Sequence, residues 1–350
     1  MIVDVALVGF GNVGRRFARL LEERRQRLRL HYDLEWRVLG IATRRRGCAF
    51  DPRGLDVAGE LARVDNGHSL STATAASGTS AADIIRALAA GTTNARVVVE
   101  TTTLDVTAGE PAVHHVETAI SAGCHVITAN KGPVAFAYRR LHDRAAAAGV
   151  SFLFESSVMD GVPIFNLVRE TMPAIEVTGF RGVVNSTTNY ILTEMERGEA
   201  FAPALARMQA EGIAEADPSL DIEGWDAAAK TAALANVLMD ADITPHAVRR
   251  TGIGPGSAEA ARAAAARGRR LRLVASASRS ASGTVDASVQ PLELEAIDML
   301  SGLNGMANAL VLETDLLGAV AVTQLSGGLT QTAYGLLSDL IAVRRRLRAA

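Results

Sequence analysis

Cysteine is scarce. Cys48 and Cys124 are the only two in 350 residues, far apart and without a CxxC or metal-ligand spacing, which leaves a disulfide framework or a zinc site without support. Both are expected to be reduced, buried small residues. An excess of one charge is missing as well: 36 lysines and arginines stand against 38 acids, for a formal charge of -2 and a pI near 6.4. That balance leaves no electrostatic footprint for nucleic acid or an anionic membrane, so the expected partner is a small molecule or a second copy of the chain. No apolar run approaches the ~18 to 20 residues of a spanning helix. No basic region followed by an apolar stretch and a cleavage site opens the chain either. The expectation is a soluble, cytoplasmic protein.

The chain is 48% hydrophobic and long enough for about two domains. MIVDVALVGFGNVGRRFARLLEE opens it with an apolar β-prone run, a glycine-rich turn, and then Val13, Phe17, Leu20 and Leu21 at helical spacing. Strand patterns recur at WRVLGIATRRRG (36–47), ARVVVETTT (95–103) and GCHVITANKGP (123–133), the last after a helix through His114 to Ala122. Short apolar strands alternating with amphipathic helices predict a parallel sheet covered on both faces. Residues 66–80 read as a loop. After about residue 150 the pattern changes: 176–196 reads as strand, turn and helix, and 226–240 as a helix. SAEAARAAAARGRRLRLVASAS joins a helix to a strand, and the final stretch is an amphipathic helix with a basic end. No internal repeat is present.

Gly9, Phe10, Gly11, Asn12, Val13 and Gly14 form GxGxxG between an apolar strand and a helix, the context in which that motif binds a dinucleotide. The glycines let the backbone turn and approach a pyrophosphate, and the helix N-terminus offers unpaired N–H groups. The second strand would end in an acid if it held the ribose 2′-hydroxyl of NAD. It ends in Thr43, Arg44, Arg45 and Arg46, so Arg44 and Arg45 favour NADP over NAD; the alternative is a solvated arginine loop.

In GIAEADPSLDIEGWDAAAK (212–230), Asp226 and Lys230 are four apart on a predicted helix and share a face. The spacing admits two readings. One is an exposed ion pair with Glu215 capping a turn. The other is a working couple, given room by Ala227, Ala228 and Ala229, in which the lysine hydrogen-bonds a reacting oxygen and a carboxylate holds an ammonium. His114, His115 and His125 have no convergent carboxylate, so a histidine metal site is not expected, and Trp225 is expected to pack.

At these residues the chain resembles the homoserine dehydrogenase family. GFGNVG, VVVETTT, HVITANKGP, GVVNSTTNYILTEM, GIAEADPSLDIEGWDAAAK, LNGMANALVLETD and GGLTQTAYGLLSDL follow in that family's order. The resemblance implies an α/β fold: an N-terminal Rossmann-type, doubly wound parallel sheet over 1–150 and a second α+β catalytic and dimerisation domain over 151–324. A C-terminal helix, about 325–350, would return to the first domain. It also implies NAD(P)-linked interconversion of L-homoserine and L-aspartate 4-semialdehyde, a step toward threonine, methionine and isoleucine, by a homodimer.

Carried onto this chain, the family's catalytic groups are Asp226, Lys230 and Lys131, with Lys131 also beside the nicotinamide. Its substrate ligands are Glu215, Asp226, Asn185 and Thr187, and its further cofactor contacts are Thr101, Thr102 and Gly328. Glu155, Val158, Asp160 and Val162 match a loop that binds Na+ or K+, for which a purely structural loop is the alternative. In the reducing direction Lys230 would donate the proton, held by Asp226, with Lys131 able to share the role.

The sequence departs from the commoner pattern at Ser186, Asp105 and Ser326-Gly327-Gly328. These departures leave open a relative acting on another hydroxy amino acid, and a regulator that binds the cofactor without turnover is the alternative from a different class. Because Ala350 follows the last helix directly, the regulatory domain of longer members, and feedback by threonine through it, are not expected.

Overall fold

The computed structural model describes residues 1–71, 78–93, 95–210 and 217–349. In chain order the first stretch runs β1 (Ile2–Val8), α1 (Asn12–Tyr32), β2 (Glu35–Ala42), β3 (Cys48–Phe50), α2 (Val57–Asp65), α3 (Ala81–Ala89), β4 (Arg96–Glu100), α4 (Ala112–Ser121), β5 (His125–Thr128), α5 (Lys131–Ala147) and β6 (Phe152–Leu153). The second runs α6 (Ile164–Thr171), β7 (Val177–Val183), α7 (Ser186–Glu196), α8 (Phe201–Ala210), α9 (Ser219–Ile222), α10 (Trp225–Met239), β8 (Arg249–Arg250), α11 (Ser257–Ala266), β9 (Arg270–Arg279), β10 (Val285–Leu294), β11 (Asn308–Thr314) and β12 (Gly318–Gln324), before α12 (Leu329–Ala349). The chain divides into two compact units, Met1–Pro163 with Gly328–Ala350, and Ile164–Gly327.

Among the described residues the first unit has one six-stranded sheet, ordered β3-β2-β1-β4-β5-β6. Its strands are parallel except β3, which runs antiparallel to β2 at the edge. The apolar runs read from the sequence follow from burial on both faces. Val3, Val5, Leu7, Val97 and Val99 pack with Phe17, Leu20 and Leu21 of α1 and with Leu336, Leu340 and Val343 of α12 in one core. Val98 and Val126, alternate in the strands, are also fully buried. The last helix therefore belongs to this unit although some 160 residues of the second lie before it. Phe17 is fully buried, and truncating such a ring to alanine costs about 3–5 kcal/mol. Both cysteines are free and buried, and burial pushes the Cys124 thiol up to about 11.

The consequence for function lies in the order of strands. Connections from β1 go to β2 on one side, and the chain then crosses to β4 on the other. Ligands of open α/β sheets bind at such a switch point, outside the carboxyl ends of the strands. Here those ends are Val8 and Glu100, followed directly by Gly9 and by Thr101 and Thr102.

The second unit, among the described residues, has a six-stranded sheet ordered β12-β11-β7-β9-β10-β8. It is antiparallel apart from the short β8–β10 pairing. Ala227, Ala228 and Ala229 of α10 are 2% exposed or less. This corrects one expectation: the three alanines do not open space around Asp226 and Lys230. They are core residues, small enough to bring the helix in tightly.

Candidate active site

In the first unit, two of the three glycines of the turn leave no room for a side chain. Gly9 has φ +98°, and a Cβ there would stand 2.6 Å from the carbonyl carbon and oxygen of Thr101. A Cβ on Gly14 would stand 2.5 Å from the Gly9 carbonyl oxygen. Gly11 differs: a Cβ there meets nothing within 4 Å, so the backbone is bare where α1 begins. Gly11 caps α1 without a side-chain hydrogen bond, which leaves the first N–H groups of a 21-residue helix to an anion. Phe10 is buried in the core and Val13 packs against it, so both side chains turn inward.

Thr101 locks the turn to β4. Its N–H donates to the Val8 carbonyl at 2.8 Å and its hydroxyl to the Gly9 carbonyl at 2.9 Å. On the other flank, the Gly9 N–H donates to Ala42, the last residue of β2, at 2.9 Å. The arginines that follow divide by role. The Arg46 N–H donates to the Thr43 hydroxyl at 2.8 Å and its guanidinium to the His68 carbonyl at 2.9 Å. Arg44 and Arg45 are exposed.

Lys131 is the first residue of α5 and is half-buried. Asn130 caps that helix by accepting from the Gly132 N–H at 2.8 Å. Gly328 precedes α12, and its N–H donates to the Asp160 carboxylate at 3.2 Å; the Thr332 hydroxyl donates to the same carboxylate at 2.8 Å. Glu155 and Val158 are buried at 3% exposure each, and the Val162 N–H donates to the Met159 carbonyl at 3.0 Å. The Asp160 carboxylate thus caps α12. Among the described residues no group of three or more His, Cys, Asp or Glu is arranged to hold a metal ion.

In the second unit, the Asp226–Lys230 pair is sheltered and held from several sides. Lys230 Nζ lies 2.8 Å from Asp226 Oδ2, with side-chain exposures of 14% and 15%. The ammonium also donates to the Val184 carbonyl, just beyond β7, at 2.6 Å. Asn185, next in the chain, caps α7 through its oxygen, which accepts from the Thr188 N–H at 2.9 Å. Its nitrogen donates to Asp221 at 2.7 Å and to Asp226 at 2.9 Å. One amide therefore ties the start of α7 to two carboxylates on different helices.

Asp221 was not singled out from the sequence. Burial, then the neighbouring Asp226 charge, pushes its carboxyl above the ordinary value, against hydrogen bonds from Asn185 and Thr187 and the Lys230 charge. It sits on α9, whose end is pinned by the Ile253 N–H donating to the Ile222 carbonyl at 2.8 Å. Gly252 passes so close that a Cβ would lie 2.2 Å from that carbonyl. Trp225 packs, as expected: the Arg250 guanidinium stands 3.8 Å over its ring and His246 meets it edge-on at 5.4 Å.

Glu215 lies outside the described residues. Ser186 accepts from the Asn308 amide at 2.8 Å. Asp105 turns back to accept from the Ala108 and Gly109 N–H groups at 2.8 and 3.1 Å, so that departure serves its own loop. His125 is buried and accepts from the Ser151 N–H at 2.9 Å.

The geometry offers a bare helix N-terminus at a strand switch point in one unit and a sheltered lysine among carboxylates in the other. Comparison with known proteins gives this combination a family. A profile described as "Homoserine dehydrogenase" matches residues 163–341, and one described as "Homoserine dehydrogenase, NAD binding domain" matches residues 9–155. An NAD(+)-dependent homoserine dehydrogenase from Pseudomonas canavaninivorans is 36% identical over 341 residues, 97% of this chain and 96% of that protein. A homoserine dehydrogenase from Methanocaldococcus jannaschii is also 36% identical, over 97% of this chain and 98% of its own. The crystal structure of a homoserine dehydrogenase from Thiobacillus denitrificans superposes with a TM-score of 0.82 at 30% identity, covering 100% of this chain and 74% of that one. The chain belongs to the homoserine dehydrogenase family, oxidoreductases that act on a CH–OH group, and carries its NAD-binding domain.

Proposed function

We propose that this chain catalyses the reversible interconversion of L-homoserine and L-aspartate 4-semialdehyde, linked to NADP or NAD. The observation that carries the reading is the Lys230–Asp226 couple, sheltered and fixed by Asn185 and Val184, in a chain of this family. When bound, the nicotinamide takes the hydride from the alcohol or gives it to the aldehyde. The rest falls to the chain's own groups. In the reducing direction negative charge grows on the aldehyde oxygen. The Lys230 ammonium, hydrogen-bonded there, stabilises the forming alkoxide more than the neutral carbonyl and then gives up a proton. Asp226 holds the ammonium in place. In the oxidising direction Lys230 accepts the proton instead, so the rate climbs with alkaline pH.

The same reading assigns the substrate ammonium to Glu215 and Asp226, together with Asp221, which shares the Asn185 amide with Asp226. Asn185 and Thr187 orient that pocket. Gly9 through Gly14, Thr101, Thr102, Lys131 and Gly328 hold the dinucleotide, and Arg44 and Arg45 select NADP by facing the 2′-phosphate. The name of the Pseudomonas relative points the other way, to NAD, so the ratio of kcat/KM for the two dinucleotides decides the matter.

Following NADPH and NADH oxidation with L-aspartate 4-semialdehyde tests the whole assignment. Turnover with this aldehyde is expected. Turnover confined to other aldehydes would move the chain to another hydroxy amino acid, and dinucleotide binding without turnover would make it a regulator.

We further propose that the chain works as a homodimer joined through β12. Among the described residues that strand pairs only with β11, and GAVAVTQ carries no charge to guard its free edge. Leu316, Leu317 and Leu325 flank it at 70%, 58% and 81% exposure.

A further inference from the structure

We propose that Glu100 is a positioning residue, whose buried carboxylate closes a hydrogen-bond ring between the ends of β4 and β5 and so sets the backbone that carries Thr102 and Lys131. The inference rests on the dinucleotide-linked reading above. Glu100 ends the strand Arg96–Glu100 after three valines and is 0% exposed. A carboxylate in such a place is costly unless its oxygens are fully hydrogen-bonded.

They are bonded across two loops. One oxygen accepts from the Thr102 N–H at 3.0 Å and from the Thr102 hydroxyl. The other accepts from the Thr128 hydroxyl at 2.9 Å. The Thr128 hydroxyl oxygen in turn accepts from the Asn130 N–H at 2.9 Å. The Asn130 amide donates back to the Thr102 carbonyl at 3.0 Å, which closes the ring, and its oxygen caps α5, where Lys131 is the first residue. His115 approaches the same carboxylate, with Nδ1 at 3.8 Å, beyond hydrogen-bond reach.

Core packing does not call for an acid here. A hydrophobic residue of similar volume is often no less stable than a buried charge. What the acid supplies is four acceptor directions at the point where two strands end beside the glycine turn. Displacing a binding or reacting group by ~1 Å can cost on the order of 100-fold in rate, so this ring is a lever on cofactor geometry. An amide can stand in for the acid. The Gln oxygen would accept from Thr102 and its nitrogen would donate to Thr128, whose hydroxyl can turn to the backbone carbonyl of residue 100, already 3.0 Å away.

The full chain with Glu100→Ala, Glu100→Gln or Thr128→Val is titrated with NADPH and with NADH by nicotinamide fluorescence, alongside kcat and KM for dinucleotide and homoserine. Glu100→Ala is expected to weaken dinucleotide binding at least ~10-fold, with homoserine KM within about 2-fold, and Thr128→Val to move the same way by less. Glu100→Gln is expected to stay within about 3-fold of the parent. Parent-like binding by Glu100→Ala, or by Thr128→Val should the alanine variant fail to fold, overturns the proposal. So does a Gln variant as weak as the Ala variant, because the acceptor pattern would then not be what matters. A parent that binds dinucleotide but does not turn over homoserine sinks the proposed reaction, while the fluorescence titration still tests Glu100.

Discussion

Lys230 reaches Asp226 across one turn of α10 at 2.8 Å, and neither side chain is more than 15% exposed. A pair this sheltered is weak evidence for stability, because the desolvation of both charges offsets their attraction, so its placement by Asn185 and Val184 is read as serving chemistry more than folding. Lys230→Ala is therefore expected to lower kcat by about 10²–10⁴-fold, the usual range for losing a proton-transfer group. Steady-state kinetics in both directions and a melting curve check it. A near-parental kcat in a folded variant would remove Lys230 from the mechanism.

Asp221 makes a prediction in which stability and activity part. Its carboxyl is pushed up by burial and by Asp226 from an ordinary value of 3.8. A pKa higher in the folded than in the unfolded chain means that the native protein binds the proton more tightly. The stability this confers is complete below the ordinary value and is lost as pH rises through the folded one. At neutral pH the ionised Asp221 thus weakens the fold, and Asp221→Asn, which keeps an oxygen for the Asn185 amide, relieves it. Each ~1 kcal/mol regained raises Tm by about 2–4 °C in a unit of this size. The gain should shrink as the melts are repeated toward acidic pH, while homoserine KM rises because an ammonium partner is gone. A gain that grew on acidification would reverse the sign and refute the account.

Asp226 and Lys230 stood out in the sequence because their spacing alone puts them on one face, whereas Asp221 did not, because its property is tertiary. It comes from another helix, brought in by Gly252 and Ile253. The glycine turn was legible for a similar local reason: GFGNVG lies between an apolar run and a helical pattern, and Gly9 and Gly14 are required by contacts with Thr101. The alanines beside the couple carry no such local signal. Small residues at 227–229 are equally consistent with open space and with close packing, and only the sheet beneath α10 decides for packing. Glu100 carries a local signal, an acid directly after three valines. The order of the second sheet had no local signal, since it depends on pairings between strands as far apart as β7 and β11.

The arginine loop after β2 gives a cofactor prediction. Arg46 is spent on the His68 carbonyl, so if the chain selects a 2′-phosphate, the exposed Arg44 and Arg45 are the arginines to do it. A hydrogen bond to a charged group contributes about 1.5–3 kcal/mol, which corresponds to about 10- to 100-fold in affinity. Replacing both arginines by alanine should raise KM for NADP by about that factor and leave KM for NAD within about 3-fold. Initial rates with each dinucleotide measure it. A parent enzyme that strongly favours NAD would sink the assignment before any variant is made.

The free edge of β12 sets the last prediction. Ala319 and Ala321 are exposed on a seven-residue strand with no charge, proline or irregular pairing to deter another strand. Natural edge strands are commonly protected by lysine, whose charge cannot be buried in a sheet without a partner. If β12 pairs with its own copy, the parent should scatter light as twice 36.8 kDa. Ala319→Lys with Ala321→Lys should then bring two ammonium groups to each side of the junction and shift the mass toward 36.8 kDa. Far-ultraviolet circular dichroism should stay unchanged, because both positions already face solvent. A dimer that survived both lysines would place the interface elsewhere on the chain. A monomeric parent would remove the dimer altogether while leaving the Lys230–Asp226 couple in place, since Asn185 and Val184, which hold it, belong to the same chain.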